Sequence, residues 1–120
     1  MFEKPDIIIL HVSDIEESDH FYKDILGLER IENKPGWKSF KLGGTILAIR
    51  PWLPETVDER KVKYGIALGF NVDDVDKRVK ELRAKDVGVL IEPRDESFGR
   101  YAEIVDPDGY ILMLISEINK

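Results

Sequence analysis

The chain has 120 residues, of which 42% are hydrophobic and 35% are charged, and its formal net charge of -6 comes from charges mixed along the sequence. These proportions are typical of one compact domain spanning residues 1–120, and they exclude a disordered or fibrous protein and a basic surface for nucleic acid. Because no cysteine is present, thiol nucleophiles, disulfides and thiolate metal sites are excluded as well. The apolar run at residues 7–10 is too short for a signal or a membrane span, so we expect a cytoplasmic protein that binds neither nucleic acid nor membrane.

The first half of the chain predicts a βαβββ order over residues 6–50. A strand is predicted at residues 7–12, and Ser13 or Asp14 can cap the following helix by accepting hydrogen bonds from its first amides. Gly27 suits the left-handed position that closes this helix. The apolar residues of the helix recur at helical spacing and are Ile15, Phe21, Tyr22, Ile25 and Leu26. Three further strands are predicted at 28–32, 37–42 and 45–50.

The second half repeats the first after a proline-rich and charged linker at residues 51–63. Here Val72-Asp73-Asp74-Val75 repeats the strand-to-helix junction Val12-Ser13-Asp14-Ile15, so Asp73 or Asp74 can cap the second helix. The elements predicted within this second module, residues 64–116, are a strand at 66–72, a helix with the apolar stripe Val75, Val79 and Leu82, and strands at 89–91, 100–105 and 110–115. Neither module is large enough for a sound core alone, so we expect them to pack together with a ligand pocket at their seam.

Two motifs lie near opposite ends of the chain. The first consists of Val12, Asp14, Ser18, Phe21, Tyr22, Leu26, Gly27 and Leu28, and the second is Asp106-Pro107-Asp108-Gly109-Tyr110. Together they resemble the vicinal oxygen chelate superfamily, which groups glyoxalase I, extradiol dioxygenases, fosfomycin-modifying enzymes and bleomycin-binding proteins. The resemblance implies an α+β fold in which two βαβββ modules form a curved mixed sheet cup with a ligand cavity inside, commonly in a homodimer. We interpret Phe21 and Tyr22 as packing residues and the two aspartates of the second motif as turn formers.

The resemblance also locates the metal ligands of the metal-dependent members. It places them at Ile7, Ala67 and Met113 and near Ala48, four positions that should face the cup. None of these side chains offers the imidazole nitrogen or carboxylate oxygen that a hard divalent cation requires. We therefore expect no metal and no cofactor, and without a Lewis acid we do not expect the familiar metal-dependent catalysis.

Strand alternation predicts which side chains face the cup. In the first strand Leu10 and Val12 should face the helix, which leaves Ile7, Ile9 and His11 inside. In the second module Leu68, Phe70 and Val72 should face the helix, which leaves Ala67, Gly69 and Asn71 inside.

The candidate ligand-binding residues are two tryptophans and several polar or flexible side chains. His11 lies where the resemblance places an anion-binding side chain in glutathione-using relatives, although it could equally be a hydrogen-bonded histidine with no ligand. Arg50 and Arg100 could each hold an anionic group with a planar guanidinium, or form a surface ion pair. Trp37 and Trp52 could stack on a flat ligand at the rim, or form a dimer contact or a lid on the core. Met113 completes the set by its inward position.

Two functions from different classes are consistent with this sequence. We favour a metal-free protein that binds or sequesters a small molecule, similar to bleomycin-binding relatives. The alternative is a lyase, isomerase or dioxygenase of the same superfamily, with His11 or Glu103 as general base. Glu103 and Tyr101 share one side of their strand, but alternation alone does not tell whether that side faces the cup.

Overall fold

A computed structural model of the chain describes residues 7–51 and 66–118, and Trp52 and most of the predicted linker lie outside the described residues. The chain divides into two compact units, Met1–Thr56 and Val57–Lys120. Among the described residues, each unit contains one four-stranded sheet and one helical region in the order βαβββ. The predicted α+β class with two βαβββ modules is therefore confirmed. Within the described residues, no helix is long and apolar enough to cross a membrane.

The first unit has the sheet order β1-β4-β3-β2, in which β1 and β4 are parallel and the other pairs are antiparallel. Its elements are β1 Ile7–Val12, α1 Ile15–Asp19, a π-helical segment His20–Ile25, β2 Arg30–Lys34, β3 Trp37–Leu42 and β4 Thr45–Pro51. Strand β2 begins two residues later than predicted. The amide of Leu28 donates to the carbonyl of Tyr22 over 3.0 Å, which closes the helix and leaves Leu28 outside the sheet.

The helical region of the first unit is capped as predicted but is not one regular helix. Asp14 is the N-cap, and its Oδ1 accepts from the amides of Glu16 and Glu17, each at 3.1 Å. Further along, the amide of Leu26 donates to the carbonyl of Phe21 over 2.9 Å, so the turn there is widened by one residue. Gly27 then adopts the predicted left-handed conformation, with φ of 76°.

Packing of the helical region on the sheet confirms two sequence interpretations. Phe21 and Tyr22 are both buried, and the Tyr22 ring lies 6.0 Å from the ring of Phe40 on β3. Leu10 and Val12 are buried as alternation predicted, whereas Ile7, Ile9 and His11 on the other side of β1 are more exposed. We call the side of each sheet that is turned away from the helix of its unit the distal face.

The second unit has the sheet order β5-β8-β7-β6, in which β5 and β8 are parallel. Its elements are β5 Ala67–Asn71, α2 Val75–Ala84, β6 Val89–Glu96, β7 Gly99–Val105 and β8 Ile111–Ser116. Strand β6 extends five residues past its predicted end. Pro93 lacks an amide donor, but β6 is an edge strand with register shifts, where a proline is tolerated.

The cap and the turn of the second unit follow the sequence interpretation. Asp74 is the N-cap of α2, and its Oδ1 accepts from the amide of Lys77 over 3.1 Å. The predicted stripe Val75, Val79 and Leu82 is buried. In the second motif, Asp106 Oδ1 accepts from the amides of Asp108 and Tyr110 at 3.0 and 2.8 Å, which makes Asp106 a turn former as expected.

Candidate functional site

A cavity of about 480 Å³ lies in the second unit, where the parallel strands β5 and β8 end. Asn71 and Ile115 are register partners on these two strands and share the distal face, and both line the cavity. Phe98 supplies an aromatic wall, and Asp73, Ser116 and Glu117 supply polar atoms. Cavities of this size, with mixed apolar and polar walls, are typical of sites for small organic molecules.

Phe98 is an exposed aromatic residue at the turn between β6 and β7. It is 56% exposed, while Tyr101 beside it is only 6% exposed. The two rings meet edge to face, with centroids 5.4 Å apart and planes at 88°. Because Tyr101 supports it from one side, Phe98 can offer its remaining ring surface to a ligand in a fixed orientation.

The hairpin that carries Phe98 is held by a close backbone approach. Gly99 has φ of 140°, and a Cβ atom at this position would lie 2.5 Å from the carbonyl oxygen of Ser116. Only glycine fits such a conformation next to another backbone. The hairpin therefore lies directly against one of the residues that line the cavity.

Arg100 provides a second hold on the same hairpin. Its Nε and Nη2 donate to the two carboxylate oxygens of Asp76 on α2 at 3.0 and 2.9 Å, and its Nη1 donates to Asp95 over 3.1 Å. The hydrogen bond from Arg100 lowers the pKa of Asp76, and the two carboxylates raise the pKa of Arg100. The sequence had left open a ligand contact or an ion pair, and the structure favours the ion pair because Arg100 lies on the helix side of the sheet.

Further along the distal face of the second unit, three residues lie in one row across three strands. Met113 is the register partner of Gly69 on β5 and of Glu103 on β7. The Tyr101 hydroxyl donates to Glu103 Oε2. Register therefore assigns Tyr101 and Glu103 to the face that also carries Met113, Ile115 and the cavity, which alternation alone left undecided.

The distal face of the first unit brings together two of the predicted binding residues. His11 and Arg50 are register partners on the parallel strands β1 and β4, and both are half-buried. Side chains of register partners share a face, so these two nitrogen-bearing groups lie side by side, as an anion-binding pair requires.

Trp37 lies on β3 of the same unit, and its indole N–H is hydrogen-bonded to a neighbouring carboxylate. Its Nε1 donates to Glu32 Oε1 over 3.1 Å, and Ser39 Oγ donates to the same oxygen over 3.0 Å. Lys34 Nζ lies 3.1 Å from the other oxygen. The hydrogen bond from Trp37, with those from Lys34 and Ser39, lowers the pKa of Glu32. Trp37 is half-buried, so part of its ring surface faces solvent.

The four positions at which the resemblance placed metal ligands carry no suitable donors. Their side chains are hydrocarbon or thioether groups, which do not fit a hard divalent cation. Within residues 7–51 and 66–118, no three histidine or acidic side chains are grouped closely enough to hold a metal ion. No step of chemistry through a metal is therefore derived for these residues.

Sequence reasoning missed the main aromatic of the cavity and one acidic partner. Phe98 was not predicted as a binding residue, and it lies in a turn rather than on a strand. A large aromatic residue beside Gly99 in a turn is nevertheless a signal for an exposed ring. Glu32 was passed over because only the pairing of β2 with β3 brings it to Trp37 and Ser39.

Comparison with known proteins agrees with this architecture. Residues 4–114 match the family model of the Glyoxalase/Bleomycin resistance protein/Dioxygenase superfamily. Phenazine antibiotic resistance protein EhpR of Enterobacter agglomerans is 34% identical over 114 residues, which cover 90% of this chain and 88% of EhpR. Uncharacterized protein YraH of Bacillus subtilis (strain 168) is 35% identical over 117 residues, which cover 88% of this chain and 91% of YraH.

Among solved structures, TnmS3, an antibiotic binding protein from Streptomyces sp. CB03234, matches with a TM-score of 0.78 and 26% identity over 97% of each chain. The family model covers nearly the whole chain, and the repeated βαβββ units agree with it. The chain is thus a glyoxalase/bleomycin-resistance-like protein and belongs to the Glyoxalase/Bleomycin resistance protein/Dioxygenase superfamily.

Proposed function

We propose that this protein binds a small aromatic molecule on the distal face of its second unit and holds it without chemical conversion. The observation that carries the proposal is the cavity of about 480 Å³ whose aromatic wall, Phe98, is 56% exposed and braced by Tyr101. Removing apolar surface from water contributes about 25 cal/mol per Å², and a well-oriented aromatic pair adds about 0.5–1.5 kcal/mol.

Two relatives support an aromatic antibiotic as the kind of ligand. EhpR is named for resistance to a phenazine antibiotic, and TnmS3 is described as an antibiotic binding protein. A protein that sequesters such a molecule needs a shaped apolar surface and a few polar contacts, and it needs no catalytic group. We expect the second unit to provide this surface through Phe98, Ile115 and Met113.

The proposal is tested by titrating phenazine into the protein and into two matched variants. Phe98→Ala removes the aromatic wall, and we expect it to weaken binding at least about tenfold, equivalent to 1.4 kcal/mol. Leu90→Ala is the control, because Leu90 is 55% exposed in the same unit and does not line the cavity. Calorimetry that gives equal affinity for wild type and Phe98→Ala would overturn the proposal.

A second candidate function is an enzyme of the lyase, isomerase or dioxygenase type. The observation in its favour is that Glu103 accepts a hydrogen bond from Tyr101 on the distal face, a carboxylate and phenol pair of the kind that moves protons. His11 is the other candidate general base. Mass spectrometry of a bound ligand after long incubation distinguishes the two functions, since sequestration returns the ligand unchanged and catalysis does not.

We further propose that binding is independent of metal. The support is the chemistry of Ile7, Ala48, Ala67 and Met113, none of which is a ligand for a hard cation. We expect phenazine affinity to be the same after treatment with a chelator and after addition of nickel, manganese or zinc. Metal analysis that finds a stoichiometric, tightly held ion would contradict this part of the proposal.

Other predictions from the sequence stay proposals. His11, Trp37, Arg50 and Trp52 are proposed ligand contacts of the first unit and of the segment that follows it. We also propose a homodimer, a cytoplasmic location, and modules at residues 6–50 and 64–116 that are joined by a linker at 51–63. Sedimentation of the purified protein tests the homodimer directly.

A further inference from the structure

Glu103 is a half-buried carboxylate in apolar surroundings on the distal face of the second unit. Its register partners on the neighbouring strands are Met113 on β8 and Ile91 on β6. Beyond Met113 the same row reaches Gly69, where a Cβ atom would find no other atom within 4 Å. A carboxylate therefore stands in a row whose far end is open space.

The charge of Glu103 is not matched by a cation among the described residues. Its hydrogen-bond partner is the Tyr101 hydroxyl, and no lysine, arginine or histidine nitrogen of the described segments forms an ion pair with it. Arg94 lies over the Tyr101 ring, 5.9 Å from the centroid, but its Nε donates to Glu96 over 2.7 Å. Glu32 in the first unit differs, because Lys34 lies 3.1 Å from it. Keeping a half-buried carboxylate without a cation is unfavourable, so a ligand that supplies one would gain from the interaction.

The distance from the cavity to Glu103 suits a fused-ring ligand. Phe98 leans on Tyr101, and Glu103 is two residues further along β7, a separation of about 6–7 Å at the rise of a strand. A flat ligand stacked on Phe98 over Ile115 would run along β7 past Tyr101, whose ring is already buried, and bring its far end to Glu103. An ionised carboxylate has about four acceptor sites, so Glu103 can keep Tyr101 and still accept from the ligand.

We propose that the ligand is a planar aromatic cation, such as a ring system with a protonated amine, and that Glu103 recognises its positive group. The inference rests on the proposed function, because it assumes that the aromatic part lies against Phe98. To the proposed function the inference adds that the ligand is positively charged and that Glu103 recognises this charge.

The test compares two tricyclic probes of similar size, proflavine, which is cationic at neutral pH, and phenazine, which is neutral. We expect the wild type to bind proflavine at least about tenfold more tightly than phenazine. Glu103→Gln should remove this preference and leave phenazine affinity unchanged, because it removes the charge and keeps the shape. Glu92→Gln is the matched control, since Glu92 lies on β6 of the same unit and pairs with Arg83 at the surface.

Three results would overturn the inference. They are equal affinity of the wild type for the two probes, a preference that survives in Glu103→Gln, and a preference that is lost in Glu117→Gln instead. If both probes bind equally and Phe98→Ala weakens both, the proposed function stands and only this inference fails. If neither probe binds, the proposed function fails together with it.

Discussion

The two units share one chain order and one pattern of strand pairing, yet their distal faces differ in chemistry. The first unit places His11 beside Arg50 and binds its carboxylate Glu32 to Lys34 and Trp37. The second unit places the exposed ring of Phe98 at a cavity, and its carboxylate Glu103 accepts a hydrogen bond from the phenol of Tyr101. The repeated fold therefore sets which residues lie side by side in each sheet, while the side chains at those places set the charge and the aromatic character of each face.

The β2–β3 and β6–β7 hairpins occupy equivalent places in the two units, and glycine substitutions in them should differ most in their effect on stability. Gly99→Ala should destabilise the protein by about 3 kcal/mol or more, because the new Cβ would meet the Ser116 carbonyl in a backbone conformation that favours glycine. Gly36→Ala, in the β2–β3 hairpin, should destabilise it by only about 1–2 kcal/mol, since Gly36 has φ of 74° but open space around it. Urea unfolding of the two variants measures both effects.

The hairpin comparison also predicts a difference in ligand binding. Gly99→Ala should weaken phenazine binding even where the protein remains folded, because the hairpin carries Phe98. Gly36→Ala should leave phenazine affinity unchanged. Equal losses of stability in the two variants would show that the close approach to Ser116 does not hold the hairpin.

The next effect concerns the neighbouring His11 and Arg50 of the first unit. Arg50→Gln should lower the affinity for benzoate, a small anionic probe, by about tenfold, because charge-assisted hydrogen bonds to a carboxylate are worth about 1.5–3 kcal/mol. Phenazine itself should bind as it does to the wild type. Lys23→Gln serves as the control, since Lys23 is a cation of the same unit that pairs with Asp24. If calorimetry shows no change for the anionic probe, Arg50 is not part of an anion site.

A smaller effect is expected at the clamp that Arg100 forms on the second unit. Arg100→Gln should weaken phenazine binding less than tenfold, by loosening the hairpin that presents Phe98, and should lower the stability only slightly because the ion pair is partly exposed. Arg83→Gln removes another arginine ion pair between α2 and β6 and should leave phenazine affinity unchanged. Restoration of affinity by Arg100→Lys would contradict the bidentate role.

The smallest effect is expected on how the free energy of unfolding changes with pH in the acid range. The hydrogen bond from Arg78 lowers the pKa of Asp73 from 3.8 to about 2, so its stabilising contribution is present above the unfolded pKa and is lost as pH falls through about 2. Hydrogen bonds from His20 and Lys23 lower the pKa of Asp24 in the first unit as well. We expect Asp73→Asn to flatten the acid dependence of unfolding more than Asp24→Asn does, as followed by circular dichroism. The reverse order would show that acid acts first on the first unit.

The parts of the fold that depend on local chemistry could be predicted from the sequence. Each helix cap was narrowed to two neighbouring residues, of which Asp14 and Asp74 are the caps, and Leu10 and Val12 were expected to face the helix. Both predictions were possible because capping and alternation are properties of a few neighbouring residues. The π-helical widening at Phe21–Leu26 was not predicted, and neither was the continuation of β6 past Pro93, since both depend on how the segment pairs and packs.

The site was predictable only where alternation from a known strand sufficed. His11 and Met113 lie on the distal faces, where parity placed them, although their contact with a ligand is still a prediction. The face of the sheet on which Arg100 and Glu103 lie could be assigned only from the register of β7 with β8, which a single sequence does not supply. Phe98 needed the hairpin geometry around Gly99.

The most direct test of the proposed aromatic site is to map, by amide chemical shifts in solution, where phenazine binds to the wild-type protein. On saturation we expect the largest changes in amide chemical shift at Phe98, Tyr101, Met113 and Ile115, and only small changes in β2 and β3 of the first unit. Shifts concentrated at Trp37 and its strand neighbours, with the Phe98 hairpin unchanged, would contradict the assignment of the aromatic site to the second unit.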